Sequence, residues 1–169
     1  MVEAMPEIRN RIPQARLRVI GDGPELAALK EMAREKQVED SIEFLGFIED
    51  DAKAASLVSE GVAAVAPYIR DGSTYKRFAD PGKVKIYLAA GLPVVICRVP
   101  PVAGLVESSG AGIAVEPSAR IIAESVVDLL SSPEKMRAMS ERALELGKSF
   151  DWTGIFDRAF EQTFTCWEG

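Results

Sequence analysis

DGSTYKRFADPGKVKIYLAAGLPVV, residues 71–95, reads as a basic loop, a capped helix start, a short helix and a buried strand, in that order. Arg70, Lys76, Arg77, Lys83 and Lys85 face only Asp71 and Asp80, so residues 70–85 carry +3 while the rest of the chain carries −9. A positive island at a helix N-terminus, in an acidic protein, suits an anion such as a nucleotide diphosphate. Free backbone N–H groups and the positive end of the helix dipole both lie there.

Outward from this stretch, strands and helices alternate. Residues 15–20, 41–46, 62–66, 93–97 and 112–115 read as strands. The 62–66 segment, VAAVA, is apolar throughout, as expected of a strand buried on both faces. Helices are expected at 24–36, 50–59, 81–90, 102–108, 118–131, 133–149 and 151–167, with Pro24 at a first helical position and Ser132 as a cap. Strands separated by helices imply a doubly wound parallel α/β sheet covered on both faces, Rossmann-like, with a helical C-terminus. The chain opens on VEAMPEIRNRI, which reads as the tail of a helix interrupted at Pro6. No strand precedes it, so the opening strand of the sheet is expected to be missing and the N-terminus cut.

At 169 residues, 47% hydrophobic and 27% charged, the chain is expected to be one globular domain, 1–169, with a real core. A net charge of −6 argues against a nucleic-acid partner, which needs a broad basic face. The two cysteines, Cys97 and Cys166, have no paired spacing, and Cys97 is expected as a small core hydrophobe in a reduced, cytoplasmic setting. With no histidine, His-based triads and most zinc sites are excluded, and no metal site is expected. No apolar run reaches the roughly 20 residues of a membrane span.

Four places carry candidate chemistry. Gly21-Asp22-Gly23 follows a strand and precedes a helix, the setting of a dinucleotide loop, but Leu26 occupies the third small position and a plain turn near a ligand fits better than direct contact. In Asp80-Pro81-Gly82-Lys83, Asp80 caps, Pro81 fixes the first turn, Gly82 admits a close ligand and Lys83 offers a point charge. The same pattern also describes an ordinary capped helix. Tyr68, Tyr75 and Phe78 border this loop as stacking surfaces or as packing. Glu107 is placed to accept hydrogen bonds from sugar hydroxyls, or to be solvated at a helix end.

Taken in order, RLRVIGDGPEL (about 17–26), IEFLGF (42–47), VAAVAPY (62–68), DPGKVKIYLAAGLPVV (80–95), LVESSGAGIAVEP (105–117) and SFDW (149–152) cover nearly the whole chain. The set resembles the C-terminal half of family 4 (group 1) glycosyltransferases, which have the GT-B fold. That resemblance implies the donor domain of a two-domain retaining enzyme, moving a hexose from a UDP- or GDP-sugar to an acceptor hydroxyl, with no metal and no cofactor. Lys83 matches the lysine of the family's Pro-x-Lys-x-x-Glu-Tyr variant. The segment 67–90 matches the diphosphate loop, and Gly46-Phe47 matches the place where the backbone meets the base. Gly21, Gly23, Gly46, Phe47, Tyr68, Pro81, Gly82, Lys83 and Glu107 are thus the expected donor-binding residues, with no catalytic residue supplied by this chain. The family's glutamate pair would fall at positions 78 and 86, which hold Phe78 and Ile86. The implied partners are a nucleotide sugar and, through a missing N-terminal domain, an acceptor glycan or lipid. Peripheral membrane association of the complete protein is compatible with this, and the fragment alone is expected to be inactive. Two further readings stand beside it: a decayed, non-catalytic donor-like module, and a sugar-nucleotide epimerase of the same fold.

Overall fold

The computed structural model describes residues 1–69 and 82–151. The basic loop 70–81, including Pro81, and the expected helix 151–167 lie outside the described residues, apart from Asp151. Five strands are described: β1 (Leu17–Ile20), β2 (Ile42–Gly46), β3 (Ala64–Ala66), β4 (Val94–Cys97) and β5 (Gly112–Val115). Seven α-helices accompany them: α1 (Met5–Arg11), α2 (Leu26–Glu35), α3 (Asp51–Ser59), α4 (Gly82–Ala89), α5 (Val102–Ser108), α6 (Ala119–Leu130) and α7 (Pro133–Lys148). All strand pairs are parallel. They fall into two hydrogen-bonded groups, β1-β2 and β3-β4-β5, rather than the single continuous sheet expected.

Helices cover both faces. On one face, Val2, Ala4, Met5 and Ile8 pack with Ala33 of α2, Val95 and Cys97 of β4, and Ile122, Ala123, Val126 and Val127 of α6. On the other, Val84 and Leu88 of α4 pack with Ala64, Ala66, Val94 and Ile96, with Val102, Ala103 and Val106 of α5, and with Ala143 of α7. β4 is buried at every residue, as a central strand with helices above and below must be. Cys97 is a buried free thiol, as its strand position required, and burial pushes its pKa up.

Side-chain caps fix the starts of two helices. Asp50 caps α3, its Oδ1 accepting from Ala52 N at 2.9 Å and Lys53 N at 3.1 Å. Ser132 caps α7, accepting from Lys135 N. Three expectations need correction. Pro6 does not interrupt a helix; it sits in the first turn of α1, where its missing N–H costs nothing. Pro24 precedes α2, inside a turn in which Leu26 N donates to Gly23 O at 3.1 Å. Val62 is 60% exposed, since β3 starts only at Ala64, opposite Val94.

Two close approaches fix the second core. A Cβ on Gly112 would stand 2.0 Å from Val94 O, so β4 and β5 pair only because that side chain is absent. A Cβ on Gly147 would stand 2.7 Å from Ala89 N, so α7 lies directly on the backbone of α4. Among the described residues no helix is long and apolar enough to cross a membrane.

Candidate functional site

The C-terminal ends of the strands gather most of the candidate residues, as expected where ligands bind open α/β sheets. Gly21 follows β1 and Gly46 ends β2; Gly21 N donates to Gly46 O at 2.7 Å, which joins the two turns. Both have positive φ, 129° and 68°, a backbone that side chains other than glycine rarely adopt. Gly23 has nothing near the place its Cβ would occupy and remains open to approach. Phe47, next along, is 73% exposed. It borders a groove of about 480 Å³ lined also by Leu45, Ile48, Glu49, Asp50, Lys53 and Leu57. Tyr68 and Lys83 do not line this groove.

Tyr68 follows β3, and its ring packs against both cores. Its hydroxyl is buried and finds no hydrogen-bond partner among the described residues. Burial, and secondarily Tyr87, push its pKa up to about 12. Lys83 lies in the first turn of α4 with its ammonium 4.6 Å from the centre of the Tyr68 ring. Although much of Lys83 is exposed, the packing at its ammonium removes enough water to lower its pKa. Gly82 has open space where a Cβ would be. Lys83 and Tyr68 therefore meet, with Gly82 next to Lys83 in the chain. Lys85, from the same basic stretch, instead points its ammonium at the Phe150 ring, 5.2 Å away.

Glu107 is neither free nor merely solvated. Arg98, just past β4, grips it with two hydrogen bonds: Nη1 donates to Oε2 at 2.7 Å, and Nη2 donates to Oε1. This fork holds the Glu107 carboxyl below the usual carboxylate range. Arg98 was not singled out from sequence; its place one residue beyond the buried VVIC strand was the available signal. Ile86, where the resemblance put a glutamate, is 50% exposed on α4, one turn beyond Lys83. Among the described residues no group of three His, Cys, Asp or Glu side chains is placed to hold a metal ion.

The family model of the group 1 glycosyl transferases matches residues 1–132, and the chain belongs to that family. No curated protein sequence matches it. Among solved structures it is similar to the pneumococcal O-GlcNAc transferase GtfA, in complex with UDP and GlcNAc, at 19% identity and a TM-score of 0.78 over 95% of this chain. It is similar to Anabaena HepE in complex with UDP, at 19% identity and a TM-score of 0.75 over 97% of this chain. It is also similar to the C-terminal domain of LpcC, a group 1 family glycosyl transferase from Francisella tularensis, at 18% identity and a TM-score of 0.74 over 88% of this chain. At these identities the likeness speaks to the fold, which is that of a C-terminal, Rossmann-like glycosyltransferase domain. The chain spans 31% of GtfA and 44% of HepE, against 76% of the LpcC domain.

Proposed function

We propose that this chain is the donor side of a glycosyltransferase. It binds a UDP- or GDP-linked sugar and, within a larger two-domain enzyme, takes part in moving a hexose to an acceptor hydroxyl with retention of configuration. The observation that carries this reading is the Lys83 ammonium, held over the Tyr68 ring at the start of α4. A cation beside helix N-terminal amides stabilises the charge that develops on a leaving diphosphate, without a metal. The Tyr68 hydroxyl is buried without a hydrogen-bond partner among the described residues and is a further donor on the residue that Lys83 covers. The Gly21–Gly46 turn and exposed Phe47 suit the base, at the groove beside β2. Arg98 presents the Glu107 carboxylate in a fixed orientation for sugar hydroxyls. UDP bound to GtfA and to HepE supports the choice of ligand class.

One observation favours a second reading. Exposed Ile86 cannot grip a ribose as a carboxylate does, which fits a donor-like domain kept for binding or assembly without transfer. Calorimetric titration of UDP and GDP against the chain and its Lys83→Ala variant tests the site. Losing one charge-assisted hydrogen bond is worth about 1.5–3 kcal/mol, so affinity should fall roughly 10- to 150-fold. Equal affinity in the variant sinks the assignment of Lys83. No binding by the complete enzyme sinks the transferase reading.

A further inference from the structure

We propose that Tyr68 is the positioning residue of the diphosphate site: its ring holds the Lys83 ammonium in place without neutralising it, so the lysine meets an anion already ordered and fully charged. This role rests on the reading of Lys83 as the group that binds the donor diphosphate. Three observations carry it. First, the Lys83 ammonium stands 4.6 Å from the centre of the Tyr68 ring, within the range at which a cation is drawn to an aromatic face. Second, Lys83 joins no ion pair among the described residues, whereas Arg18, Arg98 and Lys135 each hold a carboxylate. Burial alone lowers the Lys83 pKa, with no carboxylate offsetting it. Third, the ring is itself fixed. It packs against the cores on both faces of the sheet, and the Tyr68 backbone N–H donates to the Cys97 sulfur at the end of β4.

A lysine in the first turn of a helix has a long, flexible stem, and freezing that stem when an anion binds costs affinity. A carboxylate neighbour would remove the cost. It would also cancel the charge and compete with the ligand for the same N–H donors. An aromatic face does the first without the second. Its attraction comes from the ring quadrupole, so no full negative charge is placed beside the ligand. The ammonium carries more donors than one ring can cover, and those turned away from it stay available to phosphate oxygens. The hydroxyl is buried and is not what orders the ammonium, because the attraction runs to the face of the ring. Tyr68 therefore acts through Lys83, and the ring carries the role. A ring wedged between two packed cores moves little, which is what a platform for a flexible cation requires.

Two measurements test this. Proton NMR of the unliganded chain reads the Lys83 Cε protons, which a ring beneath them shifts upfield. The shift is expected in the original chain, kept in Tyr68→Phe and lost in Tyr68→Leu. Calorimetric titration of UDP and GDP then compares Tyr68→Phe, Tyr68→Leu, Lys83→Ala and the double variant Tyr68→Leu/Lys83→Ala. From the strength of a partly desolvated cation–ring contact, Tyr68→Leu should weaken binding roughly 5- to 30-fold. Tyr68→Phe, which keeps the ring, should recover affinity to within ~3-fold of the original. In the Lys83→Ala background the Tyr68→Leu change should matter less than ~2-fold, because the two residues act as a coupled pair. Absence of the upfield shift in the original chain overturns the positioning role, whatever the variants do. So does undiminished affinity in Tyr68→Leu, or an equal loss with and without Lys83, which would make Tyr68 scaffold only. A loss in Tyr68→Phe as large as in Tyr68→Leu assigns the effect to the hydroxyl and overturns it too. If the chain and the complete enzyme bind neither nucleotide, the donor reading falls, and this role falls with it.

Discussion

Leu88→Ala probes the second core at its centre. Leu88 is fully buried, at 0% exposure, and packs among Ala64, Ala66, Val94, Ile96 and Ala143. Buried leucine-to-alanine changes cost about 2–5 kcal/mol, the larger values where the surroundings cannot collapse into the void. Here they cannot: the neighbours are small residues, a fully paired strand, and α7 lying directly on the backbone of α4. The cost should therefore fall in the upper range, about 3–5 kcal/mol. For a chain of this size that lowers Tm by roughly 6–20 °C. Urea unfolding followed by far-UV circular dichroism measures it, with an unchanged m-value showing that only stability moved. Leu105→Ala, at a half-exposed position on α5, is the control and should stay within about 0.5 kcal/mol. A cost for Leu88→Ala below about 1 kcal/mol would refute the packing of α4 described above.

Gly112→Ala should cost more than the ~1–3 kcal/mol usual for overpacking, because its new Cβ meets a backbone oxygen; soluble, native-like protein with unchanged stability would contradict the β4–β5 register. Tyr68 should ionise only near pH 12, against 10 for a free phenol, and ultraviolet titration of tyrosinate will show it. Its folded pKa is raised, so the unfolded chain releases its proton first; the Tyr68 contribution to stability is whole below pH 10 and disappears between 10 and about 12. A phenol titrating near 10 in the folded protein would place the hydroxyl in water. Arg98→Met should return the Glu107 carboxyl toward the ordinary range, read by carbon NMR across acid pH; no movement would mean the fork does not form in solution.

What the sequence made legible follows from how local each cause is. Asp50, Ser132 and the alternation of apolar strands with helices act within a few residues, and those elements stand where they were expected. Cys97 was readable as core because VVIC is apolar without a break. Pro6 and Pro24 misled because proline marks a first turn and a break with the same residue, and only neighbouring hydrogen bonds decide between them. The Lys83–Tyr68 contact joins residues that follow the same strand, so chain order brought them within sight of each other. The grip of Arg98 on Glu107 was hidden because a lone arginine in a turn has no pattern to announce its partner. The division into two strand groups was equally hidden, since no periodicity tells a strand which neighbour lies on its far side.

The contact of Gly147 with α4 sets an order of assembly. Lys83 stands on a helix whose footing is supplied by residues far downstream. Once synthesis has passed residue 130, every described strand and the lysine itself are made, yet not α7, which lies on the backbone of α4. The final footing of α4 should therefore arrive late in synthesis, with α7, and long-range closure of this kind slows folding more than it adds to stability. A chain cut before α7 would keep Lys83 and the packing of α4 on β3, β4 and α5, and lose the helix that closes over α4 from the other side.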